Sequence, residues 1–284
     1  MHKSRYVPSF IRTSFRSPRA GLPLPVCRLG LATRGSCGLT PDDVAHAAAS
    51  GINFLNWCGV ADGLSAYIAD LGTQRDQVAI CVQFEARTSR EAKDEFEHIL
   101  SQLRTDYIDV LTFYYVEALE EWQQIIAPGG ALEYCSTAQR EGRIRMLGVT
   151  SHQRRLAAEM AASGLLDMLM IRYNAAHRGA ESDVFPVIRE RELPVVVYTC
   201  LRWGALLRAT PEDPPGFVVP AAPAWYRFAL QHPAVTVALM APENRVELDE
   251  DLQVLRNAEP LSEVEYAQLA AHGQRVRRHG GSFP

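Results

Sequence analysis

Residues 146–173 read MLGVTSHQRRLAAEMAASGLLDMLMIRY, and this stretch decides the fold because a helical pattern lies between two short apolar runs. The runs Met146–Ser151 and Met168–Tyr173 have the length and composition of strands that are buried on both faces. The segment Gln153–Ser163 between them has the pattern of a helix. Two strands joined by a helix predict a parallel pair, because parallel neighbours need a long crossover connection.

The same strand–helix unit recurs along the chain. Further strands are predicted at Cys27–Thr33, Asn53–Cys58, Gln77–Phe84, Ile108–Tyr115, Pro194–Leu201 and Val235–Met240. A helix begins after Thr40, with Pro41 at its first position. Others are predicted at Leu64–Leu71, Ser89–Leu103, Ala131–Glu141, Ser182–Arg191, Ala222–Gln231 and Leu248–Leu255. Eight such units favour a closed (β/α)8 TIM barrel over an open doubly wound sheet. No GxGxxG motif follows a strand, so a Rossmann-type cofactor site has no support.

Two further elements flank the barrel pattern. Phe10–Phe15 and Val26–Ala32 flank a turn-rich segment, which predicts an N-terminal β-hairpin. Glu263–Arg277 predicts a C-terminal helix. We therefore expect one domain over residues 1–284, in which residues 1–25 form a basic hairpin or arm.

Composition limits the classes of partner. A net charge of −4 argues against a nucleic-acid or membrane-surface binder, and no apolar run approaches the ~20 residues of a membrane span. None of the six cysteines belongs to a CxxC pair, so we expect reduced thiols, a cytoplasmic location and no metal site. The expected partner is a small-molecule substrate or ligand.

Polar side chains at the ends of the predicted strands are the candidate site, because chemistry in a barrel occurs where strands end. His152 directly follows the fifth strand and could act as a base, or it could cap the next helix. A polar set follows the sixth strand and suits an anionic ligand or a surface ion-pair cluster: Arg172, Asn174, His177, Arg178 and Glu181.

At these strand ends the chain resembles the aldo/keto reductase family, from about Gly21 to Leu255. The most specific matching piece is Glu141–Ser151, which leads into the fifth strand. The others are Leu29–Thr33, Gly51–Leu55, Tyr107–Leu111, Tyr173–Asn174 and Val197–Tyr198. The resemblance implies a barrel that binds NADP(H) across the carboxyl ends of its strands and transfers hydride to a carbonyl. In the family a tyrosine acts as the acid, tuned by a lysine, an aspartate and a histidine.

All four of those family positions are changed in this chain. By the resemblance, the aspartate falls on Asn56, the tyrosine on Ala61, the lysine on Gln83 and the histidine on Tyr114. No shift of the alignment restores the lysine, because the chain contains only two lysines, Lys3 and Lys93.

The cofactor positions implied by the resemblance are also altered. Met170 replaces the glutamine that holds the carboxamide, and Glu243 and Glu247 stand where basic groups meet the 2′-phosphate. The remaining candidate cofactor contacts are Thr33, Ser151, Tyr198 and Arg245, of which Tyr198 could stack on a flat ring.

Three hypotheses follow, and the sequence leaves open whether the protein is an enzyme. The first is a divergent NADP(H)-linked oxidoreductase in which Tyr114 donates the proton and Asn56 and Gln83 are its neutral partners. The second is a non-redox enzyme, such as an isomerase, lyase or cyclase, that uses His152, Tyr114, Glu85 and Arg172. The third is a catalytically inactive barrel that serves as a binding module.

Overall fold

The computed structural model describes residues 11–33, 37–257 and 259–279. A short hairpin comes first, in which β1 (Arg12–Thr13) pairs antiparallel with β2 (Val26–Cys27). The predicted hairpin is therefore confirmed in its described part, while Phe10 and the rest of residues 1–10 lie outside the described residues.

Eight parallel strands close into a barrel, and the first of them, β3, is bonded to the last, β10. Every predicted barrel strand is confirmed, with ends that differ by a few residues. The strands are β3 (Leu29–Ala32), β4 (Phe54–Trp57), β5 (Ala79–Phe84), β6 (Ile108–Phe113), β7 (Ile144–Ser151), β8 (Met168–Arg172), β9 (Val195–Tyr198) and β10 (Val237–Met240).

Helices surround the barrel: α1 (Pro41–Ala49), α2 (Gly63–Ala69), α3 (Ser89–Leu103), α4 (Leu119–Ile126), α5 (Ala131–Arg140), α6 (Arg154–Ala162), α7 (Ala180–Asp183), α8 (Phe185–Arg191), α9 (Ala222–Gln231), α10 (Arg245–Asp251), α11 (Gln253–Arg256) and α12 (Glu263–His279). The predicted start of α1 is confirmed, since Thr40 and Asp43 form a reciprocal capping box.

Two helix predictions need correction, and one helix was not predicted. The predicted helix Ser182–Arg191 is two helices, because Pro186 lies at the start of α8 and begins a new one. The predicted helix Leu248–Leu255 also spans two helices, α10 and α11, and the first begins earlier, at Arg245, because the side chain of Asn244 caps the backbone N–H of Glu247. The helix that was not predicted is the short α4, which lies between β6 and α5.

The hairpin closes the amino end of the barrel. Phe15, Leu22 and Val26 are buried in one cluster with the side chains that fill the barrel interior. The ring centroid of Phe15 lies 5.4 Å from that of Phe54, the first residue of β4. Because apolar side chains fill this end, a ligand can enter only at the carboxyl ends of the strands.

Backbone strain concentrates at those carboxyl ends. Six described residues other than glycine have positive φ, and two of them, Arg104 and Glu192, are helix C-caps. The other four follow strands β6 and β9 at the mouth: Tyr115, Thr199, Arg202 and Trp203. Left-handed conformations are costly for bulky side chains, and such strain is typical of ligand sites.

Candidate ligand site at the mouth of the barrel

A cavity of about 670 Å³ opens at the carboxyl ends of the strands. Its walls include five of the candidate site residues, brought together by the parallel barrel: Thr33, Asn56, Gln83, Tyr114 and Tyr198. The cavity lining does not include His152, Ser151, Arg245 or Ala61. The topology therefore assembles about half of the predicted set.

An uncharged hydrogen-bond chain crosses the floor of the cavity. Gln83 Nε2 donates to Asn56 Oδ1 over 2.8 Å, and Thr150 Oγ1 donates to Gln83 Oε1 over 3.1 Å. Asn56 Nδ2 also lies 3.4 Å from Cys58 Sγ, whose pKa burial raises to about 11. Asn56, Gln83 and Thr150 are all buried. The polar groups of the floor therefore satisfy one another's hydrogen bonds, and the floor is rigid and uncharged.

Two adjacent tyrosines form one wall. The rings of Tyr114 and Tyr115 stack with centroids 4.0 Å apart, and the left-handed φ of 42° at Tyr115 permits this arrangement of neighbours. Burial, reinforced by the Tyr115 hydroxyl, raises the pKa of Tyr114 well above its ordinary value. Burial likewise raises the pKa of Tyr115. Both phenols stay protonated and are weak acids at neutral pH.

His152 lies behind this wall. Its ring centroid is 4.4 Å from that of Tyr115 and 5.7 Å from that of Tyr198, and its Nδ1 is 3.3 Å from Glu117 Oε1. Burial lowers the pKa of His152, although Glu117 opposes the shift. The imidazole therefore packs against the rings of Tyr115 and Tyr198, which line the cavity, and His152 itself does not line it.

Two further candidates are engaged in structural contacts. Ser151 Oγ accepts from the backbone N–H of Gln153 over 3.1 Å, while its carbonyl accepts from Tyr198 OH over 3.3 Å. Arg245 forms ion pairs with Asp43 at 3.3 Å and Asp249 at 3.0 Å. These contacts join α10 to α1 and direct the guanidinium away from the cavity. Ala61 lines a separate shallow groove beside α2.

The polar set after β8 contains a structural ion pair. Arg178 donates to both carboxylate oxygens of Glu181, over 2.7 and 2.9 Å, and Tyr173 OH donates to the same carboxylate over 2.7 Å. Asn174 holds the loop by accepting from the backbone N–H groups of Ala176 and His177. None of these residues lines the cavity.

The acidic end of the cavity was only partly predicted. Glu243 and Glu247 stood out in the sequence, but Glu250 and Asp251 also line the wall. Asp251 is 2% exposed and accepts from Tyr226 OH over 3.2 Å. Burial, followed by the charges of Glu250 and Glu247, raises the pKa of Asp251 to about 8. The only available signal was spacing, since Glu247 and Asp251 are four apart and share a helix face.

The loop between β9 and α9 borders the opening of the cavity. Trp203 lies on the wall and is 52% exposed, with Leu207 and Arg208 nearby on the same loop. The continuation of the loop is tied to α12 by Asp213, which accepts from His272 over 2.9 Å and from Arg275 over 2.6 Å. Burial alone would raise the pKa of Asp213, but these bonds and one from Thr210 lower it.

Residues 11–33, 37–257 and 259–279 contain neither a metal site nor a membrane span. Within these ranges no group of histidine, cysteine and carboxylate side chains is arranged to hold a metal ion. The same ranges contain no helix whose length and apolarity would let it cross a membrane.

Comparison with known proteins identifies the family. The sequence model of the aldo/keto reductase family matches residues 40–218. Among solved structures, the aldo-keto reductase AKR11C1 from Bacillus halodurans in its holo form is 18% identical, with a TM-score of 0.74 over 92% of this chain and 96% of that chain.

Aldo-keto reductases from Klebsiella pneumoniae are similar to the same degree. One, in complex with NADPH, is 20% identical with a TM-score of 0.72, and another, in complex with NADP and acetate, is 19% identical with a TM-score of 0.72. Each covers 92% of this chain and 96% of its own. No curated protein matches the sequence. The structural neighbours establish the barrel, and the family match over more than half of the chain shows that this protein belongs to the aldo/keto reductase family.

Proposed function

We propose that this protein binds a small organic molecule in the mouth cavity and does not catalyse hydride transfer to a carbonyl. The observation that carries the proposal is the 2.8 Å hydrogen bond between Gln83 and Asn56, at the positions where the family resemblance places a lysine and an aspartate. A lysine charge beside a tyrosine lowers the tyrosine pKa, and a neutral amide does not. With the raised pKa of Tyr114, the cavity floor provides no efficient proton donor at neutral pH.

The residues present do not fit NADP(H). NADPH and NADP are bound in the two Klebsiella structures, and by resemblance the 2′-phosphate would meet the loop after β10. In this protein that part of the cavity is lined by Glu243, Glu247 and Glu250. Among the lining residues that the structure describes, the one basic side chain is Arg208, and it belongs to the β9–α9 loop. Carboxylates at the phosphate end would repel the cofactor.

A binding role is also favoured over the non-redox enzyme. That hypothesis needs His152 to reach a substrate, but His152 does not line the cavity, and its ring packs against Tyr115 and Tyr198, which do. Glu85 and Arg172 are likewise absent from the wall. The cytoplasmic location and the lack of nucleic-acid and membrane partners stay predictions from composition.

The proposal is tested by NADPH consumption with a panel of aldehydes and ketones, using wild-type protein, Tyr114→Phe and the control Tyr107→Phe outside the cavity. We expect the carbonyl-dependent rate to equal the protein-free background for all three. Carbonyl-dependent turnover by the wild-type protein would contradict the proposal, and a loss of ~100-fold or more in Tyr114→Phe alone would identify Tyr114 as the acid catalyst.

A further inference from the structure

One end of the cavity is acidic. Helix α10 and the loop before it present four carboxylates there: Glu243, Glu247, Glu250 and Asp251. Glu247 also accepts from the backbone N–H of Glu243 over 2.9 Å, which fixes the loop against the helix. The Glu250 side chain is exposed and makes no hydrogen bond or ion pair with any described residue, so its charge is open to the cavity and to solvent. Arg208 is the single basic group on the described wall.

A buried hydroxyl next to this end has no hydrogen-bond partner among the described residues. Thr33 is 1% exposed and lines the same cavity, and its Oγ1 makes no hydrogen bond within the described part of the chain. It follows β3, which pairs with β10, the strand that leads into the acidic loop. A buried polar atom without a partner is costly, so a hydrogen-bonding group of a ligand would complete this site.

Aromatic side chains form another part of the cavity wall. Tyr114, Tyr115, Tyr198 and Trp203 line the cavity together with the four carboxylates. Aromatic faces hold flat rings and attract organic cations, and they attract anions poorly. The aromatic wall and the acidic end thus favour the same kind of ligand.

We propose that the cavity binds an organic cation, that is, a flat or aliphatic body carrying an ammonium group, with the charge at the acidic end. The proposal rests on the proposed function and names its ligand class. It predicts that anions of the same size, including nucleotide phosphates, are rejected by the carboxylates.

Binding should depend on pH through Asp251, whose pKa is about 8. The groups that face it are Glu247 and Glu250 on its own helix, Tyr226 on α9 and Cys200 on the loop after β9. Burial raises the pKa of Tyr226 well above its ordinary value and that of Cys200 to about 12, so neither ionises below pH 9. A bound cation favours the Asp251 carboxylate, and its affinity should therefore increase as pH rises through 8.

His46 and Asp43 on α1 also face α10: His46 Nε2 lies 2.8 Å from Asp249 Oδ1, and Asp43 pairs with Arg245 at 3.3 Å. Neither His46 nor Asp43 lines the cavity, so mutating Asp251 alone tests the contribution of Asp251.

The test is a calorimetric titration of the full chain with three probes of similar size: benzyltrimethylammonium, benzyl alcohol and phenylacetate. Benzyltrimethylammonium carries a fixed positive charge, so any pH dependence of its affinity comes from titration of the protein. We expect it to bind at least tenfold more tightly than phenylacetate, with benzyl alcohol between them. Its affinity should rise about tenfold from pH 6.5 to pH 9, because close opposite charges shift a pKa by a unit or more.

Variants test which carboxyl groups of the acidic end interact with the bound cation. Asp251→Asn should abolish the pH dependence, and the double variant Glu247→Gln/Glu250→Gln should weaken cation binding at both pH values. Glu120→Gln on α4, an exposed carboxylate remote from the cavity wall, is the matched control and should change nothing.

Equal or tighter binding of phenylacetate, no cation binding at millimolar concentration, or a pH dependence that persists in Asp251→Asn would each overturn the inference. Because none of these outcomes involves NADPH consumption, they are distinct from failure of the proposed function.

Discussion

Replacing Asp109 with alanine is expected to destabilise the protein by about 3–5 kcal/mol, the range for breaking a buried ion pair. The Asp109 side chain is fully buried and lies 2.8 Å from Arg75 and 2.7 Å from Arg145. It also accepts from the backbone N–H of Ile80 over 2.9 Å. Both guanidinium groups lie over the Tyr107 ring, at 3.9 and 4.3 Å from its centroid. Without the carboxylate, two arginine charges would remain side by side and a buried N–H would lose its partner.

The measurement is urea unfolding of Asp109→Ala beside Asp70→Ala. Asp70 pairs with Arg104 at 3.4 Å, but the two side chains are 79% and 72% exposed, so this control should lose only ~0–1 kcal/mol. If Asp109→Ala were as stable as the control, the network around Asp109 would not hold the amino end of the barrel together.

The second prediction is a substitution that increases the free energy of unfolding. Asp251→Asn is expected to stabilise the protein at alkaline pH, because the folded-state pKa of Asp251 is about 8 against an ordinary value of 3.8. Between these values the folded state keeps the proton and the unfolded chain releases it, so the free energy of unfolding falls as pH rises from 4 to 8. Above pH 8 the whole penalty is present, on the order of 6 kcal/mol for this difference in pKa. An asparagine amide has no such penalty.

Unfolding at pH 5 and pH 8.5 tests this prediction. The advantage of the variant over the wild-type protein should be smaller at pH 5 and should grow by about 4 kcal/mol between pH 5 and pH 8.5. Asp249→Asn is a matched control on the same helix, since the pKa of Asp249 is lowered by its bonds with His46 and Arg245, against the opposing effect of burial. This control should give no alkaline stabilisation. An Asp251→Asn protein that is less stable than wild type at pH 8.5 would show that the carboxylate is ionised and well paired there.

The barrel could be predicted because its strands are buried on both faces and therefore read as continuous apolar runs, as in Ile108–Phe113. Topology then placed Asn56, Gln83 and Tyr114 at one end of the barrel, and the structure brings them into one cavity. Topology alone could not show that His152 and Arg245 stay out of the cavity lining. Their orientation depends on Glu117 and Asp43, which are distant in sequence.

The burial of Asp251 could not be predicted from the sequence. It lies in an acidic, helical segment that has the pattern of a solvated surface, and nothing nearby in the chain indicates burial. Its burial comes from packing of α10 beside α9 and Tyr226. A raised pKa caused by tertiary burial cannot be predicted from local spacing, although a buried carboxyl of this kind is a strong indicator of a functional site.

The most direct test of the proposed function is a calorimetric titration of the full chain with NADPH, with NADH and an adenine nucleotide in parallel. We expect none of these nucleotides to bind at millimolar concentration, because carboxylates at the acidic end of the cavity stand in place of the groups that would hold phosphates. Micromolar binding of NADPH, about −8 kcal/mol, would contradict it and restore the oxidoreductase hypothesis.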